Sequence, residues 1–179
     1  MNITLQAITP DDKNAIVVLF NYYIENSFAA YPEEKVPEEF FDFLMRICQG
    51  YPTVSIKNSE NEVLGFGMLR PYSPLSTFSQ TAEITYFLKP EVTGQGIGKM
   101  VMEYLCQKGQ ERGITCILAS VSSKNDGSLR FHEKNGFQEC GRFQKIGMKH
   151  GQNFDVVYFQ KFLSPENTRS ESQDSLPNS

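Results

Sequence analysis

The chain has 179 residues, a formal net charge of −4 and a pI near 5.3. That length suits one domain with a substantial core and falls short of two, and the acidic balance speaks against a nucleic-acid binder, which presents a basic face. No apolar run approaches the ~20 residues that cross a bilayer, and MNITLQAITPDD lacks the basic start and apolar stretch of a secretory signal, so a cytoplasmic protein with no membrane partner is expected.

The opening NITLQAITP alternates and reads as a short strand. Asp11 and Asp12 are placed to cap a helix through NAIVVLFNYYIEN, with Ile16, Leu19, Phe20 and Tyr23 on one face. After the loop SFAAYPEEKVP, a second helix is expected over PEEFFDFLMRICQG, with Pro37 near its first turn and Gly50 past its end. Strands follow at TVSIKN and VLGFGMLRP, separated by a turn at SENE, and the loop YSPLSTFSQ leads to a further strand, AEITYFLKP. Gly94, Gly96 and Gly98 then open an amphipathic helix that ends near Gly113. ITCILASVS is an apolar, β-branched strand suited to burial. NDGSLRFHEKNGF reads as a short helix stopped by Asn135-Gly136. QECGRFQKIGMKH and FDVVYFQKFL read as a hairpin, or as neighbouring antiparallel strands, around His150-Gly151.

The order βααβββαβαββ describes an α/β protein with a mixed sheet. The strands on either side of the glycine-led helix should run parallel, with a right-handed crossover. Residues 1–163 form the expected domain, and the polar tail SPENTRSESQDSLPNS, 164–179, is expected to be disordered. Cys48, Cys106, Cys116 and Cys140 are far apart and form no C-x-x-C, so they read as reduced, buried thiols. The two histidines sit in no metal-type cluster, and no metal site is expected.

The glycine cluster admits two readings. It is a plain turn before a helix, or it is an anion cradle built from the unpartnered N–H groups of the first helical turn. The surrounding residues favour the second. The strand ending in Tyr86-Phe87-Leu88, the loop Gly94-Gln95-Gly96-Ile97-Gly98, and the N-x-x-S-x-x-x-H-E-K-x-G-F run from Asn125 to Phe137 resemble the GNAT superfamily of acetyl-CoA-dependent acetyltransferases. The nearer resemblance is to the phosphinothricin and methionine sulfoximine acetyltransferase branch. LFNYYIENSFAAY resembles its first helix and loop, TAEITYFL its T-x-E strand, SLRFHEKNGF its L-H-x-x-x-G-F segment, and GMKHGQNFDVVYFQKFL its K-x-G-x-x-x-D ending.

The resemblance implies a GNAT fold, a mixed and mostly antiparallel sheet of about six to seven strands flanked by about four helices. It implies that acetyl-CoA lies against Tyr86, Phe87 and Leu88, that its pyrophosphate sits on the amides of Gly94, Gln95, Gly96, Ile97, Gly98 and Lys99, and that Asn125 and Lys134 reach its arm and phosphates. Asn125 reads equally as a helix cap, and Lys134 as a solvated lysine. The motif's usual Arg or Gln is replaced by Thr93, which supplies no charge.

Acetyl transfer to an amine needs a neutral nitrogen, a stabilised oxyanion and a protonated leaving thiolate. The resemblance points to the N–H of Phe87 or Leu88 for the oxyanion. Glu83 is the candidate base, a carboxylate in a largely apolar strand where a raised pKa would be useful; its plain alternative is a solvated strand carboxylate. His132 takes the acid position on the helix before Gly136-Phe137, with Tyr86 and Tyr104 as alternatives. Asn26, Phe28, Tyr31, Arg70 and Tyr72, together with Glu83, are candidate residues for the acceptor, and a guanidinium at Arg70 suits a carboxylate. Ser79 stands where the branch commonly has another arginine, so the expected acceptor is a small amine, an amino acid or analogue, and not one named compound. A protein N-terminal or lysine acetyltransferase, with an open acidic groove, and a non-catalytic acyl-CoA module are the alternatives. The branch also implies a homodimer, for which FFDF and FDVVYF are apolar candidates that equally suit a core.

Overall fold

The structure, a computed structural model, describes residues 2–163. The tail 164–179, expected to be disordered, lies outside the described residues. The elements in chain order are β1 (Thr4–Gln6), α1 (Lys13–Asn26), α2 (Phe40–Ile47), β2 (Thr53–Lys57), β3 (Val63–Pro71), β4 (Thr81–Leu88), α3 (Ile97–Glu111), β5 (Cys116–Ser122), α4 (Asp126–Lys134), β6 (Gln138–Lys149) and β7 (Gln152–Phe162). This is the order that the hydrophobic periodicity predicts.

The strands form one sheet, β1-β2-β3-β4-β5-β7-β6, in which β4 and β5 are the parallel pair. Side chains alternate across a strand, so each face has its own core. On one face α3 packs through Val101, Met102 and Leu105 against Ile84, Leu88 and Ile117. Gly67 and Gly109 permit this close approach: a Cβ at Gly67 would lie 3.1 Å from both Val101 and Leu105, and one at Gly109 would lie 2.9 Å from Leu69. On the other face, Ile16, Leu19 and Ile24 of α1 and Phe41 and Leu44 of α2 cover Phe66, Met68 and Phe87. Phe41, Phe154, Val157 and Phe159 are buried, so the runs FFDF and FDVVYF belong largely to the cores.

The β6–β7 hairpin turns on His150 and Gly151, with φ of 49° and 70°. Two positive φ values in a two-residue loop match the right-handed twist of the flanking strands. β6 is an edge strand and carries Phe143, Ile146 and Met148 exposed.

Three local expectations differ from the structure. Asp12 stands at the N-cap of α1 but makes no side-chain cap. Its carboxylate accepts from the Thr9 N–H at 3.0 Å and pairs with the Lys57 ammonium at 2.7 Å, both side chains nearly buried. The second helix begins at Phe40, because Pro37 and Glu38 accept i→i+3 bonds from Phe40 and Phe41 and form a tight lead-in turn. All four cysteines are free, but Cys140 is exposed, its β6 position having no element to cover it. Among the described residues no helix is long and apolar enough to cross a membrane, and no group of three or more His, Cys, Asp or Glu is placed to hold a metal.

Candidate active site

The parallel β4–β5 ladder runs from Thr81↔Cys116 to Glu83↔Leu118 and stops. Beyond it the strands diverge, and the gap opens into a cleft of about 830 Å³ walled by Ile84 to Leu88 and Ala119 to Ser122. The glycine loop and α4 close one side, and Ala29 and Tyr31 of the α1–α2 loop close the other.

Gly94 and Gly96 have φ of 75° and 83°, the left-handed region that residues with a Cβ adopt only with strain. The side chains of this loop fold inward: the Thr93 hydroxyl donates to the Pro90 carbonyl at 2.8 Å, and the Gln95 amide donates to the Glu91 carbonyl at 2.9 Å. Thr93, in the place of a basic residue, closes the turn. The first helical amide to find a backbone acceptor is Met100, on Gly96 at 3.2 Å. Among the described residues the amides of Gly94 to Lys99 have no such partner, at the positive end of a helix of 15 residues. Backbone donors without acceptors, aimed outward by glycine geometry, fit the diphosphate of acetyl-CoA. Thr93, Gly94, Gly96, Gly98 and Lys99 line the cleft; Gln95 does not, and the Ile97 side chain is core. Asn125 lines the cleft and also caps α4, its side-chain oxygen accepting from Ser128 N–H at 3.2 Å. Lys134 also borders the cleft.

On β4 the ladder decides which amides are free. Lys89 N–H donates to Leu64 at 2.7 Å, and Tyr72 N–H donates to Thr81 at 3.4 Å. Alternation between these points directs the odd-numbered β4 amides to β3. The Phe87 N–H is therefore committed there, while the amides of Ile84, Tyr86 and Leu88 turn toward the unpaired gap. Of the two oxyanion candidates, Leu88 has the N–H that faces the cleft. Its carbonyl accepts from the Tyr23 hydroxyl at 2.6 Å.

His132 is 4% exposed and borders the cleft beside Tyr86. Its Nδ1 is 2.8 Å from the Ser128 carbonyl, which can only accept, so that nitrogen carries the hydrogen. Nε2 is then an acceptor, and the Tyr86 hydroxyl donates to it at 2.8 Å. Burial lowers the His132 pKa, the hydrogen bond to Ser128 opposing it, and burial raises that of Tyr86. His132 is thus neutral with both nitrogens engaged, and the phenol is the polar group it holds toward the cleft.

Arg70 and Glu83 are paired across β3–β4 and point to the α1–α2 face, where their side chains form an ion pair. The Glu83 carboxylate therefore faces a guanidinium, and the apolar surroundings expected for it are absent, because the cross-strand neighbour is charged. Tyr31 lies close by, its pKa raised by burial and by the charges of Tyr158 and Glu83, with a hydrogen bond to Ser120 opposing. Phe28 packs on His150 and Phe154, and Tyr72 packs on Phe78. Neither they nor Asn26, whose amide donates to the Tyr22 carbonyl at 2.8 Å, line the cleft. Tyr104 lies away from it on α3.

Tyr23, Ser120 and Lys149 are site-shaping residues that the sequence reading did not assign to the site. Tyr23 had a signal, a hydroxyl-bearing ring on the apolar face of α1. Ser120 had none, since a serine in a buried strand is ordinary. Lys149 had a weak one, the lysine of the K-x-G-x-x-x-D segment, with no indication of what it touches.

A family model described as Acetyltransferase (GNAT) family matches residues 16–137. An L-methionine sulfoximine/L-methionine sulfone acetyltransferase of Pseudomonas aeruginosa is 28% identical over 89% of this chain and 92% of its own length. A phosphinothricin N-acetyltransferase of Streptomyces viridochromogenes is 27% identical over 89% of this chain and 87% of its own. Among solved structures, a GNAT superfamily phosphinothricin acetyltransferase from Sinorhizobium meliloti in complex with AcCoA has a TM-score of 0.86 and 25% identity, each chain being fully covered.

Proposed function

Because the chain belongs to the acetyltransferase (GNAT) family, we propose that it moves an acetyl group from acetyl-CoA to the primary amine of a small molecule, an amino acid or amino-acid analogue, by direct transfer between two bound substrates. The observation that carries this is the two-sided gap between β4 and β5. One face offers backbone donors suited to a diphosphate, and the other offers a guanidinium and a carboxylate side by side, the pattern complementary to an amino acid. The relatives named for methionine sulfoximine and phosphinothricin support the same class of acceptor.

Acetyl-CoA, when bound, supplies the acetyl group activated as a thioester. The amides of Gly94 to Lys99 hold its phosphates, with Asn125 and Lys134 beside them, and Leu88 N–H is the donor available to negative charge developing on the acetyl oxygen. Glu83 takes a proton from the acceptor nitrogen, directly or through water, while Arg70 binds the acceptor's carboxylate and Tyr31 bounds its pocket. His132 Nε2 holds the Tyr86 phenol in place. To serve the leaving sulfur, the hydroxyl turns its hydrogen from Nε2 to the sulfur and gives it up to form the thiol, while the proton taken by Glu83 passes to solvent, which returns one to the phenol. A protein acceptor would call for an acidic groove, whereas Glu83 is the one carboxylate among the described lining residues and is ion-paired.

A cytoplasmic homodimer completes the reading. The free cysteines fit a reducing compartment, and Phe143, Ile146 and Met148 on the edge strand are a surface that a second copy would cover. The deciding experiment follows thiol release from acetyl-CoA across amino acids, their sulfoximine and sulfone analogues, and polyamines. Rapid release with an amino acid or analogue is expected. Acetyl-CoA binding with no release for any amine would leave a non-catalytic module instead.

A further inference from the structure

We propose that Lys149 is a positioning residue: its buried ammonium ties the loop that walls the acceptor side of the cleft to the β6–β7 turn, and so sets how well the acceptor binds. This rests on the acceptor assignment made above.

Lys149 is 0% exposed. Its Nζ donates to the carbonyls of Ser27 at 2.8 Å and Ala30 at 2.7 Å, more than a hundred residues away in sequence. Ser27 is the C-cap of α1, where carbonyls lack helical partners and the helix dipole is negative. The charge is therefore seated where the backbone favours a cation, which offsets part of its desolvation. Burial lowers the ammonium pKa, with the charge of Glu33 acting against it.

The contacts around it join the same two segments. His150 N–H donates to the Glu33 carboxylate at 3.0 Å. The Phe28 ring meets His150 at 6.0 Å and Phe154 at 5.7 Å, and Tyr31 stacks on Phe154 at 5.7 Å. Gly147 pairs with Phe154 across the hairpin, and a Cβ there would overlap that ring. Ala29 and Tyr31, which line the cleft, lie between and just after the two clasped carbonyls. An apolar side chain could fill the same space. A two-fold donor does more, because it holds two carbonyl oxygens within hydrogen-bond range.

The test compares wild type with Lys149→Met and with Phe28→Leu, a milder lesion at a half-buried ring. The acceptor is L-methionine sulfone, or the fastest amine of the panel if wild type does not use it. Expected for both variants is an acceptor KM raised about ten-fold or more with kcat within about three-fold, and an acetyl-CoA Kd within about two-fold by calorimetry. Hydrogen–deuterium exchange should quicken in a peptide over 27–36 and stay unchanged over 97–111. An unchanged KM, or a parallel loss of kcat and acetyl-CoA affinity, would overturn the assignment. If Lys149→Met does not fold, Phe28→Leu decides on the same readings. A wild type that binds acetyl-CoA but acetylates nothing removes the functional reading and this inference together, whereas an active wild type with an unmoved KM removes the clasp alone.

Discussion

Arg70 and Glu83 stand opposite each other in the β3–β4 ladder, and their side chains pair on the α1–α2 face of the sheet while Tyr86 of the same strand points to the other. One strand thereby presents a carboxylate to one side of the gap and a phenol to the other. Glu83→Gln keeps the shape and removes the proposed base, so kcat is expected to fall by about 10²–10⁴-fold with acetyl-CoA binding unchanged. Arg70→Gln is expected to raise KM for an amino acid far more than for its decarboxylated amine. Steady-state kinetics with such a matched pair of acceptors reads both outcomes.

Gly96→Ala isolates backbone strain from crowding. A Cβ at Gly96 meets nothing within 4 Å, yet φ is 83°. The left-handed conformation costs a residue with a Cβ about 1–2 kcal/mol, and acetyl-CoA affinity should drop by roughly ten-fold as the loop relaxes. At Gly98 a Cβ would sit 3.4 Å from Phe131, near ordinary contact, and Gly98→Ala should cost less. Calorimetric titration with acetyl-CoA and with free CoA separates the two.

The Tyr86–His132 pair joins the phenol proposed for catalysis to a buried histidine. Tyr86→Phe should lower kcat by about 10²-fold and leave His132 Nε2 buried without its donor, at about 1–3 kcal/mol. The lowered His132 pKa gives a sign for pH. Below the free value of 6.5, the unfolded chain takes a proton that the folded chain refuses. That contribution to stability is present above 6.5 and is lost as pH falls from there toward the lower folded value. The melting temperature of wild type should therefore decline between about pH 7 and 5, and His132→Gln should flatten that limb.

Asp12 and Lys57 form a buried pair whose loss is one-sided. Removing either partner alone leaves an unpaired buried charge and should destabilise by about 3–5 kcal/mol. The double change Asp12→Asn with Lys57→Met should recover much of this in denaturant unfolding. Burial pushes the Asp12 carboxyl up, but hydrogen bonds from Lys57 and Thr9 and the Lys57 charge outweigh it, and its pKa is lowered. The stability it contributes is present above the ordinary aspartate value of 3.8 and is lost as pH falls through the lower folded value, a window separate from that of His132.

The sequence by itself determined the order of the elements, the parallel pairing around the glycine-led helix, the hairpin at His150-Gly151 and the glycine-led helix start with unpartnered amides at Gly94 to Lys99. Each of these is written in local terms: periodicity, glycines at positive φ, and a helix whose first amides lack partners. What only the tertiary structure decided depends on neighbours distant in the chain. Leu88, not Phe87, turns its N–H to the gap because the β3 register consumes the other; Glu83 meets Arg70 because they are cross-strand partners. Asp12 leaves its capping role because Lys57 of β2 comes within reach. His132 stands beside Tyr86 because the Phe131 and His132 rings of α4 pack against that side chain, and Lys149 reaches the end of α1 because the hairpin folds back over the loop. A side chain's type announces what chemistry it can do, but the partner that directs it is supplied by packing.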